Sequence, residues 1–242
     1  MHLSWLRNLV RKAMRSEEEG RRTHEAVVRL LRSVPKAGSL LDIGCAEGLK
    51  TMAYAGLLGL PPEKVKGVEP QERYRLKAAG KFEAYTVDIE KQPLPFTDES
   101  FDVIVCNQVL EHLKNIFLPL SEMDRVLRTG GYLLIGIPNL AALHNRFLLL
   151  FGRQPKCNDM RGPHIRCFTH RAFLDFLALN PNFELAGTGS ATLYPFPFPL
   201  VDWLGRLLPG PAAYTFYLLR KKKHDAAACG WNLPAAGDTL LV

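Results

Sequence analysis

Apolar residues recur along this chain with two different spacings, which predict helices and strands in alternation. Val27, Leu30, Leu31 and Val34 have helical spacing, and the pattern stops at Pro35. Short apolar runs, typical of buried strands, then alternate with helical segments. The predicted strands are 39–43, 65–69, 82–87, 101–106 and 132–137, and the predicted helices between them are 49–58, 72–79 and 116–127. This alternation implies crossover connections and a mostly parallel sheet.

The pattern changes after Pro138, where an insert at about 140–168 holds an apolar helix and then a basic loop rich in Pro and Gly. A further helix is predicted over 169–179 with Thr169 as its N-cap. Two more strands are predicted at 183–189 and 214–219, separated by the aromatic, Pro-rich run 194–200. We therefore expect an α/β domain over 21–220: a doubly wound, mostly parallel seven-stranded sheet with helices on both faces.

The two ends of the chain differ from this domain. Residues 1–20 predict a basic amphipathic helix, with Leu3, Leu6 and Val10 on one face and arginines elsewhere. We favour packing of this helix on the domain, and peripheral contact with an anionic membrane surface is the alternative. Residues 221–242 are rich in Ala and Gly and aperiodic, which predicts a disordered tail.

Charge and cysteine usage narrow the class of protein. The net charge of +7 comes from the two ends and the insert, whereas 38–140 is slightly acidic and lacks a basic stripe, so nucleic acid is not an expected partner. The five cysteines are scattered without a Cys-x-x-Cys pair, which predicts reduced thiols, a cytoplasmic location and no metal site. We identify no signal peptide and no apolar run long enough for a transmembrane segment.

A glycine-rich turn after the first predicted strand is the first candidate binding site. The turn contains Gly44 and Gly48 in a Gly-x-x-x-Gly pattern, directly after Asp42. Glycine lets a ligand approach the backbone, and the following helix offers free N–H groups. Asp42 would repel a pyrophosphate, which disfavours a nicotinamide-dependent oxidoreductase, and suits a ligand with a cationic amine such as the methionyl part of S-adenosylmethionine.

Two further acids follow the next two strands. Glu69 ends the second strand about 20 residues beyond the turn, where a carboxylate can accept both hydroxyls of a ribose. Asp88 follows the third strand, where it could accept a hydrogen bond from an adenine amine while Ile89 lies against the ring. Since ligands in open α/β sheets bind at the carboxyl ends of strands, three acids at three such ends predict one nucleoside-containing ligand.

These motifs resemble the class I S-adenosylmethionine-dependent methyltransferases, specifically the type 11 methyltransferase-domain family, over about Leu40 to Pro138. The matching segments are the loop 41–48, Gly67-Val68-Glu69-Pro70, Asp88-Ile89-Glu90 with the run 94–102, Leu110-Glu111-His112-Leu113, and 122–131. Beyond Pro138 the layout is similar to that of ubiquinone-pathway O-methyltransferases and of methyltransferase-like proteins associated with methionine biosynthesis.

The resemblance implies a Rossmann-like methyltransferase fold and S-adenosyl-L-methionine as cofactor. It implies that the cofactor is bound by Asp42, Gly44, Cys45, Ala46, Gly48, Glu69, Pro70, Asp88, Ile89 and Asn107. Ala46 departs from the family, which often has Gly there, but alanine is small enough that we expect binding to survive.

The acceptor is left open. A base is needed only if the acceptor loses a proton, and the candidates are His112 and His164, because imidazole titrates near neutral pH. Arg161 and Arg166 could hold an anionic acceptor or form a solvated face. We expect methylation of a small molecule, an oxygen on a lipid-linked, sugar or quinone-like acceptor. The alternative is a non-catalytic module that binds the cofactor and a protein partner.

Overall fold

The computed structural model describes residues 2–193, 210–225, 227 and 229–231, with side chains described from residue 17 onward except that of Lys156. The predicted aromatic loop at 194–200 lies outside the described residues. The helices are α1 His2–Leu31, α2 Leu49–Leu57, α3 Glu72–Ala79, α4 Phe117–Val126, α5 Leu143–Leu150 and α6 His170–Leu177. The strands are β1 Leu40–Ile43, β2 Val65–Val68, β3 Glu83–Tyr85, β4 Phe101–Asn107, β5 Leu127–Pro138, β6 Phe183–Ala191 and β7 Tyr214–Lys221.

The seven strands form one sheet in the order β3-β2-β1-β4-β5-β7-β6. Strands β1 to β5 are parallel to one another, and β7 runs antiparallel between β5 and β6. The predicted mostly parallel, doubly wound sheet is therefore confirmed. The connections leave β1 and β4 in opposite directions along the sheet, which opens a crevice at their carboxyl ends.

The core has two parts, one on each face of the sheet. In β4, Val103 and Val105 point to one part while Ile104 and Cys106 point to the other, as the two-residue period of a strand requires. Residues of α1, α2 and α3 complete the first part, and residues of α4 and α6 complete the second. The prediction of helices on both faces is confirmed.

The N-terminal helix corrects the predicted boundary at residue 20. One helix of 30 residues, α1, runs through this point, and ion pairs from Glu18 to Arg21 and Arg22 stabilise its charged middle. Its second half buries Ala26 and Val27 against the sheet. Because the side chains of residues 2–16 are not described, membrane contact by the first half stays a prediction. No helix within the described ranges is long and apolar enough to cross a membrane.

The predicted disordered tail is wrong for its first part. Lys221 and Trp231 are both fully buried. The indole of Trp231 stacks on Phe183 with ring centroids 4.9 Å apart. The Lys221 ammonium donates to the carbonyl oxygens of Asp124 and Leu127 at 2.6 and 2.9 Å and pairs with the Asp124 carboxylate at 3.1 Å. These contacts offset the free-energy cost of burying the ammonium. The composition of the tail alone does not reveal them. Residues 232–242 lie outside the described residues.

We expect Lys221→Met to lower the free energy of unfolding by about 3 kcal/mol, because it leaves the buried Asp124 carboxylate without its counter-charge. Urea unfolding followed by circular dichroism measures the change. Lys222→Met, at the exposed neighbouring position, is the matched control and should be nearly neutral. Equal losses in the two variants would contradict a stabilising role for the buried pair.

Candidate active site

The glycine-rich turn leaves β1 through an alternation of left-handed residues. Gly44, Ala46 and Gly48 have φ of 75°, 48° and 77°, and the N–H groups of Gly44 and Cys45 donate to the carbonyl oxygen of Val68 at 2.8 and 3.1 Å. An alanine in this conformation costs about 1 kcal/mol relative to glycine. The departure at Ala46 is thus accommodated at a small cost in backbone energy.

This turn borders a cavity of about 300 Å³ at the crevice between β1 and β4. The cavity is lined by Asp42, Gly44, Cys45, Ala46, Glu47, Gly48, Leu49, Lys50, Tyr54, Asn107 and Gln108. Six of the ten predicted cofactor residues are among these, and Glu69, Pro70, Asp88 and Ile89 are not. Lys50 and Tyr54 were not predicted from the sequence, although their positions in the first two turns of α2 put both near the glycine-rich turn.

Asp42 lies at the floor of the cavity and is 4% exposed. Its Oδ2 atom accepts a hydrogen bond from the Thr51 hydroxyl at 2.5 Å. Burial raises the pKa of Asp42 to about 7, with a contribution from Glu69, while the Thr51 hydrogen bond and Lys50 oppose the shift. The site therefore holds a carboxyl group whose pKa lies near neutral pH. A nearby cation would stabilise its ionised form.

Glu69 supports the turn. Its carboxylate is buried and accepts hydrogen bonds from the N–H groups of Ala46 at 3.0 Å and Gln71 at 2.9 Å. Glu69 thereby connects the end of β2 to the glycine-rich turn that follows β1. A ribose contact would use the lone pairs that these two hydrogen bonds leave.

The third predicted acid lies farther from the cavity. β3 ends at Tyr85, and Asp88 pairs with Lys91 at 2.6 Å, which lowers the pKa of its carboxyl group. The neighbouring Ile89 is buried in the core beneath the sheet end. An adenine contact at these two positions is a prediction that the structure leaves untested.

The end of β4 contributes polar side chains to the opposite wall of the cavity. Gln108 has a positive φ of 59°, and its buried Nε2 atom has no hydrogen-bond partner among the described residues. Tyr54 faces the same space, and burial together with the Asp42 charge raises the pKa of its hydroxyl while Asn107 opposes the shift. A buried amide donor without a partner is costly, so a ligand with an acceptor at this point would relieve it.

The two predicted catalytic histidines, 52 positions apart in the sequence, meet at one place. The rings of His112 and His164 are in edge contact with centroids 4.9 Å apart. His112 Nδ1 donates to the carbonyl oxygen of Pro163 at 3.2 Å, and His164 Nδ1 donates to that of Cys157 at 2.9 Å. Burial lowers the pKa of His112, which keeps its imidazole neutral at physiological pH.

The insert reaches this point because it folds back onto the turn 110–112 after β4. The N–H groups of Ile165 and Arg166 donate to the carbonyl oxygen of Glu111 at 2.8 and 3.1 Å. The Arg166 guanidinium donates to the carbonyl oxygen of Lys114. Arg166 thus fastens the insert to the domain, and Arg161 remains the exposed candidate for an anionic acceptor.

Comparison with known proteins finds similarity mainly in the part of the chain that contains the glycine-rich turn. Residues 41–135 match a family model described as a methyltransferase domain. An uncharacterised methyltransferase of Schizosaccharomyces pombe is 33% identical over 115 residues, which are 43% of this chain and 41% of that protein. A demethylmenaquinone methyltransferase of Bacillus licheniformis is 29% identical over 137 residues, which are 51% and 59% of the two chains. The chain thus spans about half the length of the curated relatives it matches.

Solved structures share this fold. An S-adenosylmethionine-dependent methyltransferase from Thermotoga maritima superposes with a TM-score of 0.57 at 20% identity, covering 89% of this chain and 97% of that one. At this identity the likeness concerns the fold alone. It extends over nearly the whole Thermotoga chain, beyond the range of the family model.

We expect Asp42→Asn to change how stability depends on pH. The raised pKa means that folded Asp42 keeps a proton that the unfolded chain releases, so the parent loses stability as pH rises from 3.8 to about 7. The slope approaches about 1.4 kcal/mol per pH unit. Asparagine keeps an oxygen for the Thr51 hydrogen bond but has no charge. The stability of the variant relative to the parent should therefore increase as the pH rises over this range. Urea unfolding at several pH values measures the gain, and parallel profiles would contradict the assigned pKa.

Proposed function

We propose that this chain, whose residues 41–135 form a class I methyltransferase domain, transfers a methyl group from S-adenosyl-L-methionine to a small-molecule acceptor. The observation that carries the proposal is the 300 Å³ cavity at the β1–β4 crevice, with the buried Asp42 carboxylate at its floor. Ligands of doubly wound sheets bind at this kind of position.

The residues of the cavity fit the cofactor. Its methionyl part carries an ammonium and a carboxylate, which match the Asp42 carboxylate and the unpartnered amide of Gln108. Gly44, Cys45, Ala46 and Gly48 would hold it from the turn, and Asn107 from the end of β4. Glu69 with Pro70 would bind the ribose, and Asp88 with Ile89 the adenine.

The bound cofactor supplies an electrophilic methyl group on a positively charged sulfur. The residues of the chain must then hold the acceptor atom in line with the methyl group. An acceptor that is already nucleophilic reacts in this position without further assistance.

An acceptor hydroxyl also has to lose its proton. We propose His112 and His164 as the candidate bases that accept this proton. Each donates its Nδ1 proton to a backbone carbonyl, which leaves a lone pair on Nε2. The lowered pKa of His112 keeps that lone pair free at neutral pH.

We propose an amphiphilic acceptor of quinone-like type, methylated on oxygen. The name of the Bacillus licheniformis relative assigns demethylmenaquinone to that protein, which supports the quinone class of acceptor and not the choice of oxygen. In this chain α5 and its end, which belong to the same insert as His164, expose the apolar side chains of Phe147, Leu149, Leu150 and Phe151. An exposed apolar patch of this kind suits an acceptor with an apolar tail.

We expect Asp42→Ala and Glu69→Ala each to weaken S-adenosylmethionine binding by about 10- to 100-fold, since each removes a charge-assisted contact. Isothermal calorimetry on the full chain measures the dissociation constants. Glu63→Ala, which removes an exposed acid in the turn before β2, is the control and should bind like the parent. Parent-like binding by both site variants would refute the cofactor assignment.

We expect S-adenosylhomocysteine to accumulate with isoprenylated hydroquinones and not with water-soluble sugars. His164→Ala should lower kcat by about 100-fold, the usual contribution of proton transfer, without changing the cofactor dissociation constant. Quantifying S-adenosylhomocysteine across the acceptor panel measures both effects. Cofactor binding with no turnover on any acceptor would favour the alternative of a non-catalytic module with a protein partner.

A further inference from the structure

We propose that Glu111, His112 and His164 together bind one divalent transition-metal ion. Each offers one ligand atom, and the three atoms lie within 4.8 Å of one another. Small side-chain rotations would bring all three to about 2.1 Å from a common ion. The sequence analysis predicted no metal site because it considered only the cysteines.

The hydrogen bonds of the two imidazoles favour this assignment. A carbonyl oxygen can only accept, so the contacts to Pro163 and Cys157 place the proton of each ring on Nδ1. Both Nε2 atoms therefore carry a lone pair. Metal-binding histidines have this arrangement, in which the second ring nitrogen donates to a carbonyl or carboxylate and fixes the orientation of the ring.

Glu111 gives a second and independent indication. Its side chain is fully buried, and neither carboxylate oxygen has a hydrogen-bond partner among the described residues. The Nε2 atom of His112 lies 3.9 Å from Oε1, and because it carries a lone pair it donates no hydrogen bond to the carboxylate. Buried carboxylates are normally paired or bound to a metal, because an isolated one is expensive to remove from water. A cation between Glu111 and the two rings would give one of these oxygens a partner and would balance the charge of the carboxylate.

The backbone around the three ligands is held in place before any ion binds. Glu111 and His112 lie in one turn directly after β4. The N–H groups of Ile165 and Arg166, next to His164, donate to the carbonyl oxygen of Glu111. Two distant segments are thereby fixed against each other, so ion binding would not have to order a flexible loop.

The donor set indicates the kind of ion. Two imidazole nitrogens and one carboxylate oxygen suit zinc or ferrous iron rather than magnesium or calcium, which prefer oxygen ligands. Three protein ligands leave at least one coordination position open, as in catalytic rather than structural sites.

The open position gives the ion a role that rests on the proposed function. Glu111 lies four positions after Asn107, which lines the cofactor cavity. An acceptor hydroxyl bound to the ion would release its proton to solvent more readily and keep the O–H electron pair on oxygen. With the ion bound, His112 and His164 act on the acceptor proton through the ion that they hold, and their role as free bases applies to the metal-free site.

The test uses the tag-free full chain, stripped with a chelator and titrated with Zn²⁺ by calorimetry and with Co²⁺ by visible absorption. We expect one ion per chain, with the cobalt bands of a nitrogen- and oxygen-ligated site. Glu111→Gln, His112→Ala and His164→Ala should each weaken binding by at least about 100-fold. His170→Gln, which removes an imidazole outside the cluster, should bind like the parent.

Thermal unfolding without metal shows whether each variant folds. Glu111→Gln replaces the buried carboxyl group by an amide of the same size, so this variant is expected to unfold at a temperature close to that of the parent. Zinc binding that none of the three substitutions weakens, or no stoichiometric binding by the parent, would overturn the proposal. If His112→Ala does not fold, His164→Ala in the insert decides the result.

The same preparation separates this proposal from the proposed function. S-adenosylmethionine binding to the stripped chain tests the cofactor site without the metal, and zinc binding without cofactor tests the metal site alone. Turnover that needs added Zn²⁺, at an unchanged cofactor dissociation constant, would support the role in acceptor activation. Equal turnover of the stripped and reloaded chain would overturn that role.

Discussion

The Thr51 hydroxyl donates to the buried Asp42 carboxylate at 2.5 Å, and this contact joins the end of β1 to the first turn of α2. Between the two residues the chain must reverse direction, which requires the left-handed conformations at positions 44, 46 and 48. Glu69 then holds the reversed segment through the Ala46 N–H group. The shape of the cavity thus depends on an acid that is kept away from water at the end of a strand.

The segment 107–112 connects the two parts of the site. It begins at Asn107 on the wall of the cofactor cavity and ends at His112 beside the insert. The donor end and the acceptor end of the proposed reaction are therefore carried by six consecutive residues after one strand. A shift at either end would be transmitted through this short piece of backbone.

Local patterns were enough to predict the sheet and the glycine-rich turn. Each strand contains a short apolar run that predicts it. The observed bounds of α3 agree with the predicted bounds because Pro70 and Gly80 enclose a run of helix-forming residues. The meeting of His112 and His164 could not be predicted, since it depends on backbone hydrogen bonds between the insert and the turn after β4. The burial of Lys221 could not be predicted for a similar reason. Lysine is rarely buried, and its partners, two carbonyl groups and the Asp124 carboxylate, lie 94 to 97 positions away in the sequence.

The position of β7 between β5 and β6 has a consequence for the synthesis of this chain. Among the strands that the structure describes, β6 pairs only with β7, and β7 follows all the others in the sequence. Until residue 221 has emerged, the edge of β5 is unpaired and β6 has no place in the sheet. Such an edge is a template for pairing with other chains. The nascent polypeptide is therefore most prone to aggregation just before β7 pairs with β5.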